Sequence, residues 1–223
     1  MQEKVFYALV VAIVLIGGIG VGVAYYHAPA AQPQTTPTAQ TPYQLTLVIT
    51  TNNFFNSTSD QPAFYVLENG TLHSSATINL PVNRLINLTI INYDDGGAAP
   101  LGNPGSPDNS YYNVTGTVGG VMHIVNNTNV NSSQGSSAIN IQGGETVNHL
   151  PQGNAAHTFT ILNGSSTVVN IPVPPSSVVN AQLHLTSSGT YVWQCEAPCG
   201  SGTDGWGQAM VTAGWMTGSV VVS

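Results

Sequence analysis

From residue 43 onward the chain is written in a two-residue period. Leu85-Ile-Asn-Leu-Thr-Ile-Ile-Asn alternates apolar and polar side chains. In an extended strand such neighbours point to opposite faces, so the run buries one side and wets the other. Comparable runs occupy 44–50, 63–67, 77–80, 85–93, 120–125, 138–141, 157–162, 167–171, 181–185, 190–195 and 218–222, separated by clusters of Gly, Pro, Asn and Asp. None of this region carries the 3.6-residue period of an amphipathic helix. Short strands with turn clusters between them predict an all-β domain, an antiparallel Greek-key sandwich or barrel. The segment 94–119, with Asp94, Asp95, Pro100, Pro104, Pro107 and repeated Gly, reads as a long loop in which both acids are solvated.

Ahead of that domain the pattern changes twice. Residues 5–26 run 22 positions without a charge, enough at 1.5 Å per residue to cross a bilayer core of about 30 Å. Lys4 precedes the run and the next cation is Arg84. The positive-inside bias therefore puts the N-terminus in the cytoplasm and the rest outside, as a single-pass cell-membrane protein. A cleaved signal peptide is the competing reading, with Ala28-Pro-Ala30 as the cleavage site, but the apolar run exceeds the length of a signal core. Gly17, Gly18, Gly20 and Gly22 give the span a small-residue face on which another membrane helix could pack. The Pro-, Thr- and Gln-rich stretch after it has no apolar period and reads as a tether. The expected organisation is an anchor over 1–27, a linker over 28–42 and an exterior domain over 43–223.

Charge is nearly absent. Charged residues make up 5% of the chain, with Lys4 and Arg84 the only Lys and Arg, against roughly a quarter in an ordinary globular domain. Solubility must come from uncharged polar groups, which keep their character in acid. This suits the exterior protein of an acid-living organism or a glycosylated surface at any pH. Asn-x-Ser/Thr sequons stand at Asn56, Asn69, Asn87, Asn113, Asn126, Asn131 and Asn163, each a candidate glycosylation site in an exterior protein. A net charge of -7 without a basic cluster argues against nucleic acid as partner.

The residues that carry chemistry lie in the last third. His157 opens Ala156-His-Thr-Phe-Thr-Ile, and Gly189-Thr-Tyr-Val-Trp-Gln-Cys195-Glu-Ala-Pro-Cys199-Gly follows, ahead of Met216-Thr-Gly-Ser-Val-Val-Val. In strands, His157, Phe159 and Ile161 share one face, as do Tyr191, Trp193 and Cys195. An imidazole at a strand start with a thiolate on a later loop is a soft donor pair suited to copper. The plainer reading of His157 is a satisfied histidine at a strand end. No cation near either Cys in sequence would lower a thiol pKa, so a nucleophilic triad of His157, Cys195 and Asp204 is not expected. Asp94 and Asp95 are adjacent rather than positioned as a glycosidase pair, and no phosphate-binding Gly-rich loop opens a helix.

Residues 140–223 resemble the exterior cupredoxin domain of archaeal heme-copper oxidase subunit II, and one N-terminal span with a tether is similar to a short form of that subunit. The resemblance implies a cupredoxin-like Greek-key sandwich behind a transmembrane helix. It also implies a polytopic heme-containing partner subunit, and a copper site that would use His157, Cys195, Cys199 and Met216. The chain departs from the pattern twice. The family's loop glutamate falls on Ala197, with Glu196 one position early, and no second His follows: Thr203 stands four residues after Cys199, and Ala213 three before Met216. With one imidazole for two coppers, a dinuclear centre is not expected. The resemblance then points to the quinol-oxidising branch, copper-free and without catalysis of its own, with Cys195 and Cys199 as a structural disulfide of the exterior compartment.

A second resemblance is to sulfocyanin, a membrane-tethered mononuclear copper carrier. His157, Cys195 and Met210 or Met216 would then be ligands, with His149 or His184 as the fourth. His184, between Leu183 and Leu185, should point away from both. A third reading is a glycosylated structural or pilus-like surface protein.

Overall fold

A computed structural model describes residues 40–53, 61–95, 111–126, 144–197 and 208–223. The anchor over 1–27, most of the linker, the strand expected at 138–141 and Cys199 lie outside the described residues. Within them no helix is long and apolar enough to cross a membrane. Residues 40–223 form one unit.

Fourteen strands make up the described body: β1 (Tyr43–Thr50), β2 (Ala63–Glu68), β3 (Thr71–Ser74), β4 (Thr77–Leu80), β5 (Leu85–Asn92), β6 (Tyr111–Asn113), β7 (Met122–Asn126), β8 (Glu145–Val147), β9 (His149–Pro151), β10 (His157–Asn163), β11 (Ser166–Val173), β12 (Ser177–His184), β13 (Gly189–Gln194) and β14 (Thr217–Val222). They form a seven-stranded sheet in the order β3-β2-β1-β5-β12-β7-β8, a five-stranded sheet β11-β10-β13-β14-β4, and the small ribbon β6-β9. All-β architecture was legible because the period-two runs that fall within the described residues are strands. In β5 the residues Ile86, Leu88, Ile90 and Asn92 are buried while those between them are half-buried.

The inner faces of the two large sheets share one core. Leu45, Leu47 and Ile49 of β1, Ile86, Leu88 and Ile90 of β5, Phe159 and Ile161 of β10, and Trp193 of β13 belong to it. Four aromatic contacts concentrate near one end: Phe64 lies 5.1 Å from Trp193 and 6.3 Å from Phe159, and Phe159 lies 5.9 Å from Trp193, while the Phe64 ring meets His157 edge-on at 6.1 Å. The indole is satisfied by donating Nε1–H to the Ser75 carbonyl at 2.8 Å, which ties β13 to the turn between β3 and β4 and lets so large a polar-tipped side chain be buried.

Three expectations need correction. The sheets are not purely antiparallel: β1 runs parallel to β5 and β14 parallel to β4. A two-residue period reports which face is buried and carries no strand direction, so this could not be read from it. The segment 94–119 is not simply a loop, since Tyr111–Asn113 pair with His149–Pro151 and Thr115 bridges to Asn170. β6, β8 and β9 were missed because 3 residues are too few for a period to show, and β3 because its 4 residues carry one apolar side chain, Leu72, where the equally short β4 alternates two. Third, Asp94 is not a solvated turn residue, for a reason that lies at the site.

Candidate functional site

His157 begins β10, the second strand of the five-stranded sheet. Its place is set by pairing with Val173 across β11 and by the Phe64 ring against it. The side chain is buried, and burial of an imidazole demands partners for both ring nitrogens. Nε2 lies 2.8 Å from Asp94 Oδ2. Nδ1 faces the Cys195 sulfur at 4.0 Å.

Asp94 reaches this position from the other sheet, just beyond the end of β5. Asn92 accepts the Asp94 N–H at 3.0 Å and donates its own amide to the Pro174 carbonyl at 2.8 Å. The Ser176 N–H donates to the Asp94 carbonyl at 2.9 Å. The turn joining β11 to β12 thus clamps the chain around Asp94, and the Asp94–His157 pair joins the two sheets at one end.

Cys195 follows the last residue of β13 and is buried. The Thr158 N–H donates to Sγ at 3.3 Å, and Sγ lies 3.6 Å from the Ala197 carbonyl oxygen. Its own N–H donates to the Met216 carbonyl at 2.8 Å, so Met216, also buried, stands beside it in register. Around this turn runs a chain of hydroxyls and amides. The Glu196 N–H donates to Thr158 Oγ1 at 2.7 Å, Thr158 Oγ1 meets Thr160 Oγ1 at 2.9 Å, Thr160 Oγ1 donates to Asn170 Oδ1 at 2.7 Å, and Asn170 Nδ2 donates to the Asn113 carbonyl at 2.7 Å. These are the threonines expected to face away from His157; they are buried because the chain satisfies them.

Burial is the largest influence on the His157 imidazole and pulls its pKa down. The Asp94 hydrogen bond, the Cys195 contact and the charges of both outweigh it and raise the pKa to about 9. In that state both ring nitrogens carry protons, one aimed at the carboxylate and one at the sulfur.

The structure brings His157 and Cys195 side by side and sets Met216 next to Cys195 through a backbone hydrogen bond, and it adds Asp94, which sequence reasoning missed. Nothing local marks that residue; its imidazole partner, His157, is 63 positions away and is met only through the pairing of β5 with β12. His149, on β9, is exposed, shares its Nδ1 with Asn148 Oδ1 at 2.7 Å and packs edge-on against Tyr111 at 4.7 Å. His184 is exposed on β12 with Leu183 and Leu185 buried to either side, as its alternation implied. Neither joins the site. Met210 is half-buried against the core.

The donor set does not suit the copper centres that the sequence resemblance implies. A blue site asks for two imidazoles and a thiolate, and no His follows His184 in the sequence. Among the described residues no three His, Cys, Asp or Glu side chains converge as a metal-binding set. Asp94 occupies the ring nitrogen remote from the sulfur, so it pairs with the imidazole and is not itself placed as a ligand beside the thiolate.

Neither the family models nor the curated proteins contain a match to this chain. Among solved structures, the copper protein rusticyanin is similar at 12% identity over 81% of this chain and 76% of that one, with a TM-score of 0.36. A multicopper oxidase is similar at 12% identity over 84% of this chain and 45% of that one, with a TM-score of 0.32. A heme-copper terminal oxidase dimer is similar at 13% identity over 100% of both chains, with a TM-score of 0.34.

Proposed function

We propose that residues 43–223 are the exterior cupredoxin-like domain of a subunit II-like, non-catalytic component of a membrane-bound terminal oxidase, one that has dispensed with copper and belongs with a quinol-fed enzyme. The observation that carries this reading is the Asp94–His157–Cys195 arrangement. An imidazole at the start of one strand and a cysteine after another meet at the end of a two-sheet sandwich, where the family resemblance puts a metal, but the third group is a carboxylate from the opposite sheet on the far ring nitrogen, and among the described residues no second imidazole stands with them. Asp94 holds a proton on Nε2, the thiol is held by the Thr158 N–H, and both sheets are fastened at the point where a metal would otherwise cross-link them. Quinol supplies electrons from within the membrane, so such a subunit needs no relay on the water side. Residues 5–26 are its anchor, with the N-terminus cytoplasmic and the domain outside the cell membrane, and their glycine face packs against a polytopic heme-containing subunit.

The test is mild solubilisation of membranes followed by purification through a tag on this chain. Heme-bearing polypeptides in constant ratio with it support the reading. Recovery as a lone chain, or as a filament, sinks it.

One observation favours a second reading, the tethered mononuclear copper carrier. A carboxylate on the far nitrogen of a histidine is also how metal-ligating imidazoles are oriented, and Nδ1 does face Sγ. That reading requires a ligand that the described residues do not supply.

A further inference from the structure

The candidate sequons differ sharply in where the fold puts them. Asn56 and Asn131 lie outside the described residues, and Asn126 is the last residue of β7, with its sequon Thr128 outside them. Asn69 and Gly70 are the two central residues of the β2–β3 hairpin, since Glu68 pairs with Thr71. Both have positive φ, 50° and 77°, the conformation an Asn-Gly turn adopts without strain. Asn163 closes β10 and pairs with Ser166 across the two-residue turn Gly164-Ser165, where Gly164 has φ 59°. Asn113 ends β6. All three asparagines are exposed, and so are their sequon hydroxyl residues Thr71, Ser165 and Thr115. Asn87 is different. It sits within central strand β5, half-buried, and its Oδ1 accepts from Gln182 Nε2 at 3.1 Å on the neighbouring strand.

The three exposed sequons are also gathered at sheet edges. β3 is the terminal strand of the seven-stranded sheet and β11 of the five-stranded sheet. Asn69 stands at the tip of the hairpin that carries β3, and Asn163 at the tip of the hairpin that carries β11. Asn113 lies beside β11, where Thr115 bridges to Asn170. An uncovered edge strand is a template for pairing with another chain, and proteins usually blunt it with charge, above all lysine. Neither strand has a charged residue: β3 reads Thr-Leu-His-Ser, and β11 Ser-Thr-Val-Val-Asn-Ile-Pro-Val. Thr115 occupies the middle of β11 and Pro172 removes one donor near its far end, which leaves the hairpin end of that edge to be covered.

We propose that Asn69, Asn113 and Asn163 carry N-linked glycans that shield the edges β3 and β11, and that Asn87 remains unmodified. This rests on the exterior placement of the domain. The donor is a lipid-phosphate-linked oligosaccharide of the same membrane. A bond forms between the asparagine Nδ2 and the anomeric carbon, the bond from that carbon to the lipid phosphate breaks, and the amide proton leaves with the phosphate. No oxidant or reductant enters. The neutral sugars do for this nearly charge-free surface what lysines do elsewhere, occupying the space that an incoming strand would need.

Glycopeptide mass spectrometry on the full chain purified from its native membranes tests the assignment. Glycan mass on the peptides bearing Asn69, Asn113 and Asn163, with bare Asn87, is the expected result. A predominantly bare asparagine at any of the three, or an occupied Asn87, overturns it. Protease treatment of intact cells separates this failure from failure of the placement. A domain cleaved from outside whose sequons are bare refutes the glycans alone, whereas a fully protected domain with bare sequons refutes the placement and the glycans together. The variants Thr71→Ala and Ser165→Ala remove the acceptor motif while keeping Asn69, Gly70 and Gly164, the turn residues with positive φ. Combined, they should lose both glycopeptides and self-associate in light scattering at concentrations where the unaltered protein stays dispersed. Loss of the glycans with unchanged dispersion would refute the shielding role.

Discussion

Asp94 and His157 meet at 2.8 Å although their strands belong to different sheets. The contact is buried on the imidazole side, with side-chain exposures of 3% for His157 and 16% for Asp94. Removing one member of such a pair strands the other's charge in a poorly solvated place, which costs several kcal/mol where burial is complete. Asp94→Asn should therefore lower the unfolding free energy by on the order of 3 kcal/mol, read as a shift of the urea midpoint with an unchanged slope. A change below the measurement error would mean that the pair contributes nothing to stability.

The same pair sets a pH dependence whose sign is fixed. The folded pKa of His157 is about 9 against an ordinary 6.5, so the folded state binds the proton more tightly. Its contribution is complete below the unfolded value and disappears as pH rises through about 9, a loss on the order of 3 kcal/mol. Denaturation at pH 6, 8 and 10 should show this decline in the unaltered protein relative to His157→Gln, a comparison that cancels the tyrosines. Parallel pH profiles for the two proteins would contradict it.

How much of this was legible before the fold was known follows from the range of each signal. The alternation in 85–92 reports a half-buried strand from adjacent residues, and β5 is one. His157, Cys195 and Met216 were grouped through a motif spread over β10, β13 and the approach to β14. Those strands are neighbours in one sheet, and β13 pairs with both of the others. Asp94 was out of reach because its approach to His157 depends on which strand lies beside β5, a long-range choice that no local period encodes. The parallel pairing of β1 with β5 escaped for the same reason.

Gly218 offers a test of packing at the sandwich core. A Cβ there would strike the Trp193 indole nitrogen and would lie 2.7 Å from the Ser75 carbonyl oxygen and 2.8 Å from that of Ala76. Backbone oxygens cannot swing aside as a flexible side chain can, and the indole is held by its bond to Ser75. Gly218→Ala should cost about 1–3 kcal/mol or more, with a matching change in tryptophan fluorescence. A variant as stable as the parent would show that β14 can shift away from β13 without penalty.

Ligand arithmetic governs the last prediction. A blue copper site takes two imidazoles and a thiolate, and a dinuclear one needs a terminal imidazole for each metal. The chain has no His after His184, and among the described residues the imidazole in contact with Cys195 is that of His157, whose raised pKa favours the form with both nitrogens protonated. A protonated nitrogen has no lone pair for a metal. The purified chain, incubated with Cu(II) and dialysed, should hold copper well below one atom per chain and show no intense visible thiolate band. His157→Ala should then lower stability and leave the visible spectrum as it was. A blue or purple band that vanishes in His157→Ala would overturn this, return His157 and Cys195 to the role of ligands, and make the domain an electron carrier.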